Sequence, residues 1–61
     1  MFTVKVATGD DAFQPDPRGE VIRILERIIQ DLWDGVYASK YLTIYDINGN
    51  DVGRWRLGED E

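Results

Sequence analysis

Apolar and polar positions alternate at the start of the chain, then change period. Phe2, Val4 and Val6 interleave with Thr3, Lys5 and Ala7, which predicts a strand over about residues 2–8. From Val21 to Trp33 the period becomes helical. At about 100° per residue, Val21, Ile22, Ile24, Leu25, Ile28, Ile29, Leu32 and Trp33 fill roughly half of the cylinder. Glu20, Arg23, Glu26, Arg27, Gln30, Asp31 and Asp34 fill the rest. Both ends are marked. Asp16 suits the capping position, Pro17 the first helical position, and Gly35 a left-handed closing residue. The helix is therefore placed at about 17–34.

Between strand and helix, TGDDAFQP (8–15) is rich in turn formers, and its one aromatic, Phe13, is expected to fold back over the helix start. The VYASK stretch (36–40) turns the chain. Alternation returns over 41–47 and 50–57, two hairpin arms around Asn48-Gly49. A two-residue turn would pair Ile47 with Asn50; a three-residue loop with Gly49 left-handed would pair Asp46 with Asn50. The second is preferred, because it places Leu42, Ile44 and Val52 on one face. A bulge at Gly53 then returns Trp55 and Leu57 to that face. Eighteen helical residues span about 27 Å, the reach of a strand of about eight residues. The expectation is one α+β domain in β-α-β-β order, a single helix across a three-stranded, mainly antiparallel sheet. Strand one beside strand three is preferred to strand one beside strand two. The tail 58–61 is expected to fray.

Sixty-one residues with neither cysteine nor histidine leave no disulfide and none of the usual zinc sites. The apolar helix face must carry stability, aided by self-association if one sheet does not cover it. The flank at Ile22, Ile29 and Trp33, or the opposite one at Ile24, is where coverage would fall short. A second copy or a target would dock there. No apolar run reaches membrane-spanning length and the N-terminus lacks a signal pattern, so a cytoplasmic protein with no membrane partner is expected.

Twelve acidic against seven basic residues give a net charge of −5. This opposes nucleic acid as partner; it reads first as a charge that keeps a small protein soluble, and second as one that would attract a protein with a basic surface. Catalytic and metal chemistry find no support. The calcium-loop likeness of DINGND (46–51) fails, with Asp51 at the sixth position and Leu57 at the twelfth. The YDxNGN string that it shares with tyrosine-aspartate repeats of bacterial toxins reflects turn chemistry alone. Ser39 has no histidine to activate it, and Lys40 would serve as a base only if buried. Gly49 and Gly53 precede no helix and cradle no phosphate. The sequence-adjacent acid pairs, such as Asp10 with Asp11, sit in solvated stretches with no cause for a raised pKa. Glu20 with Arg23, Arg23 with Glu26 and Arg27 with Asp31 read as a solvated, self-paired helix face. No enzyme activity, cofactor or metal is expected.

Tyr41, Thr43 and Tyr45, joined by Arg54 and Arg56, form an aromatic and cationic outer sheet face. It reads first as ordinary half-exposed strand surface, since tyrosines are good strand formers, closely followed by a protein interface, and last as a site for single-stranded RNA. The strand FTVKVAT, the helix PRGEVIRILERI and the hairpin DINGNDVGRWRL resemble small acidic proteins encoded in phages and prophages. That resemblance implies an inhibitor of host machinery, of the anti-CRISPR kind, that presents carboxylates to a basic nucleic-acid groove. On this reading Asp10, Asp11 and Asp16, or Asp46 and Asp51 at the hairpin tip, meet the target, with Tyr41, Tyr45 and Trp55 as aromatic contacts where exposed. The alternative is a structural or regulatory homodimer with no inhibitory role, followed by an RNA-binding module.

Overall fold

The structure is a computed structural model that describes residues 1–36 and 40–58. Most of the VYASK turn, with Ser39, and the acidic residues 59–61 of the tail lie outside the described residues. Strand β1 (Phe2–Val6) leads through a 3-10 turn (Asp11–Phe13) into α1 (Arg18–Trp33), followed by β2 (Leu42–Tyr45) and β3 (Asp51–Leu57). The helix packs on a three-stranded antiparallel sheet ordered β1-β3-β2. The β-α-β-β expectation and the preference for strand one beside strand three are both met.

The helix ends behave as their residues dictate. Asp16 accepts a hydrogen bond from the Arg18 amide at 3.0 Å, and Pro17 already has helical torsions. At the other end Gly35 adopts φ +77°. Its amide donates to the Leu32 carbonyl at 3.1 Å, and Val36 donates to Asp31 at 2.8 Å, which satisfies two orphan carbonyls.

The hairpin takes the three-residue form. Gly49, at φ +84°, donates to the Asp46 carbonyl at 3.0 Å, and Asp46 donates to Asn50 at 2.9 Å. The register then shifts between Ile44 and Tyr45: Ile44 faces Gly53 while Tyr45 faces Asp51, leaving Val52 as the extra residue of a bulge. Val52 and Trp55 therefore both point under the helix. Gly53 is required at this bulge. A Cβ there would collide with the Lys5 carbonyl oxygen on β1.

The core consists of Phe13, Ile24, Ile28, Ile44, Val52 and Trp55, flanked by half-buried Val4, Val6, Val21, Leu32, Leu42 and Leu57. Phe13 is fully buried and closes the end over the helix start. Trp55, a candidate contact residue by sequence, is only 2% exposed and belongs to this core. Its indole ring meets Phe2 edge-on, with centroids 6.2 Å apart. Gly58, assigned to the frayed tail by sequence, is buried and exchanges two hydrogen bonds of 2.9 Å with Met1. The antiparallel ladder thus continues one pair past β3.

Candidate functional site

Three surfaces hold the residues that sequence singled out. The first is the end of the molecule where the 3-10 turn, the start of α1 and the hairpin tip converge. Asp10 caps the 3-10 turn through the Ala12 amide at 3.1 Å. Its carboxyl also hydrogen-bonds Asp46 across 36 positions of sequence, a pairing that no local pattern signals. Asp46 is only 4% exposed. Its carboxylate accepts from the Asn48 amide at 2.9 Å, the Asn50 amide at 2.8 Å and the Asn50 side chain at 3.2 Å. Asp46 therefore shapes the turn and is not a free contact residue.

Electrostatics divide the two carboxyls. The hydrogen bond to Asp46 is the main cause that pushes Asp10 above its ordinary value, with desolvation and the Asp46 charge adding to it. Burial alone would raise Asp46 too. The Asn50 amide, the bond with Asp10 and the Asn50 side chain outweigh it and hold Asp46 low. The two carboxyls titrate as a coupled pair, with Asp10 shifted up and Asp46 shifted down.

Glu20 joins the same end. Expected on a solvated face, it is instead buried, at 8% exposure. Its carboxylate accepts two bonds from Arg23, at 2.8 and 2.9 Å, and one from the Ile47 amide at 2.9 Å. Arg23 reaches on to the Tyr45 carbonyl at 3.1 Å. Glu20 and Arg23 thus clamp the hairpin to the helix, and the Arg23 bonds are the main cause holding Glu20 below its ordinary value. Asp11 and Asp16 remain exposed, Asp16 in an ion pair with Arg18 at 2.7 Å. Five acids against two arginines make this end the acidic pole. Asp51, by contrast, lies on β3 and pairs with Arg54.

The second surface is the outer sheet face. The register sets Lys5 and Thr43 on either side of Arg54, and Thr3 beside Arg56. Tyr41 and Tyr45 are more than half exposed, and the Arg56 guanidinium lies 6.0 Å from the Tyr41 ring centroid. The fold therefore separates charge: cations gather on this face, acids at the hairpin end.

The third surface is the flank of α1. Ile24 is buried, but Ile22, Leu25, Ile29 and Trp33 stay exposed, Trp33 at 82%. Of the two flanks that sequence left open, the one at Ile22, Ile29 and Trp33 is bare. A groove of about 240 Å³ runs between Arg23, Arg27 and Asp31 of α1 and Thr43 and Tyr45 of β2. It falls below the roughly 300–1,000 Å³ of usual ligand pockets. Among the described residues, no three His, Cys, Asp or Glu side chains converge on a metal position. Nor is any helix long and apolar enough to cross a membrane. No family model, curated protein or solved structure matches the chain.

Proposed function

We propose that the chain is a non-enzymatic protein-binding domain whose acidic pole docks on a basic protein surface. The activity we assign to it is inhibition of a host nucleic-acid-binding complex of the CRISPR-effector kind. One observation carries the reading: Asp10, Asp11, Asp16, Glu20 and Asp46 converge on one end, while Lys5, Arg54 and Arg56 occupy the outer sheet face. Such a dipolar surface orients the molecule as it approaches a cationic groove. Exposed Asp11 and Asp16 would make the direct contacts. Asp46 and Glu20 would hold the pole rigid from beneath. Tyr45, near the hairpin tip, would add an aromatic contact.

Adding the purified chain to an effector complex should release bound nucleic acid near stoichiometric ratio, with an effect that weakens steeply as salt rises. The Asp11→Asn, Asp16→Asn double variant should inhibit less and show a shallower salt slope. Nucleic-acid retention unchanged by excess protein would overturn the inhibitory reading. The cationic, tyrosine-bearing sheet face favours a second reading, binding of single-stranded RNA. Filter retention of RNA at low salt, lost on Arg54→Ala, would support it over the first.

A further inference from the structure

We propose that the bare flank of α1 and the edge of β1, which pairs with no other strand among the described residues, form one self-complementary surface, occupied by a second copy of this chain. The proposal goes beyond the acidic-pole reading and does not depend on it.

The two features lie on the same side of the molecule. Arg23, Arg27 and Asp31 face β2, so helical spacing directs the stripe of Ile22, Leu25, Ile29 and Trp33 to the opposite side of the helix, the side of β1. Beneath it Val4 and Val6 are only half-buried and Phe2 is 51% exposed. Strand and helix thus leave a single apolar step along one edge.

The β1 edge has the parity for pairing with itself. Met1 and Gly58 exchange both hydrogen bonds, and the Ala7 amide donates to Val52, so Met1, Thr3, Lys5 and Ala7 direct their backbone groups towards β3. Phe2, Val4 and Val6 accordingly direct theirs away from the sheet. Antiparallel pairing about a two-fold axis at Val4 sets Phe2 opposite the partner's Val6 and Val4 opposite the partner's Val4. All the outward backbone groups of β1 are then used. On the outer face Lys5 meets the partner's Thr3, so the two lysines do not oppose each other.

The same axis brings the stripes together. The helix rides over β3, whose Trp55 is buried between Val4 and Val6 on one side and Leu42 and Ile44 on the other. Joining two β1 edges places the two β3 strands three spacings apart, about 14 Å. Helices about 10–12 Å in diameter with side chains nearly span that separation. Trp33 and Phe2 supply the bulk for the remainder. Taking about 200 Å² for an aromatic side chain, these two alone expose roughly 250 Å² per copy. Ile22, Leu25, Ile29 and the strand edge bring the total towards the ~800 Å² that each partner buries in a standard interface. The paired helices run antiparallel.

Sedimentation equilibrium across the micromolar to millimolar range tests the pairing. The wild-type chain should approach twice its 7.0 kDa mass. Trp33→Lys, at an exposed position, and Val4→Pro, which removes an N–H that β3 does not use, should each restore the monomer with an unchanged far-UV spectrum. Amide exchange of the wild type provides a check that does not rely on Val4→Pro folding. The Phe2, Val4 and Val6 amides should exchange slowly, and faster on dilution. A monomer at every concentration, a dimer that survives both substitutions, or concentration-independent fast exchange at those amides would each overturn the proposal.

Discussion

Removing the Glu20 carboxylate should destabilise the fold by about 2–3 kcal/mol, an unusual cost for a charged residue on the first turn of a short helix. Three hydrogen bonds converge on this group, two from Arg23 and one from the Ile47 amide. Those two partners differ in their access to water. Arg23 has 40% of its side chain exposed, so water can replace part of what it loses, and its ion pair contributes little. The Ile47 amide is part-buried beneath the hairpin tip, and a charge-assisted bond of that kind is worth about 1.5–3 kcal/mol. Most of the loss therefore comes from the hairpin clamp. For a chain of this size, about 1 kcal/mol corresponds to roughly 4–8 °C, so Glu20→Ala should lower Tm by about 8–24 °C. Urea unfolding followed by fluorescence of the buried Trp55 measures it. The pH profile gives a second check. Folding lowers the Glu20 pKa, so its contribution is complete above the unfolded value of 4.5 and is lost as pH falls through the lower folded value. Glu20→Gln should flatten that part of the acid limb. A Glu20→Ala loss below about 0.5 kcal/mol, the usual cost of a surface change, would refute the clamp.

The Asp10–Asp46 pair predicts the opposite sign. Folding raises the Asp10 pKa, so its contribution is complete below the unfolded value of 3.8 and is lost as pH rises through the folded value. Asp10→Asn keeps a donor to Asp46 without the second charge, so it should stabilise the fold at neutral pH, with a gain that shrinks towards acid. Parallel denaturation near neutral pH and in acid decides it, and a pH-independent difference would contradict the raised Asp10 pKa. Gly53→Ala should cost about 2 kcal/mol or more, because the new Cβ meets β1 backbone at the Lys5 carbonyl, which cannot rotate away; urea midpoints report it. Phe13→Ala should cost about 3–5 kcal/mol and leave the chain largely unfolded at 37 °C by circular dichroism, since removing this fully buried ring opens a cavity in the core.

The elements were legible in the sequence because each depends on neighbours within a few positions. Asp16, Pro17 and Gly35 bound the helix through the amides and carbonyls beside them. Asn48-Gly49 supplies the left-handed turn, and alternating residues reveal the strands. The bulge was legible as well, because only an extra residue lets Val52 and Trp55 share one face. The roles of individual acids were not. Asp10 and Asp46 meet because the loop before α1 folds over the hairpin, and Glu20 is buried because the turn at Ile47 lands on it. The helical pattern marked Glu20 polar, and only the position of the hairpin turned it into a clamp. Trp55 shows the converse case. Sequence offered it as a contact residue where exposed, and the bulge placed it in the core. The breadth of the helix's apolar face came from sequence alone, but which flank stayed bare did not. That choice belonged to the tertiary structure, because Glu20 and Arg23 pin the polar side of α1 to the β2 side of the sheet and leave Ile22, Ile29 and Trp33 exposed on the opposite side.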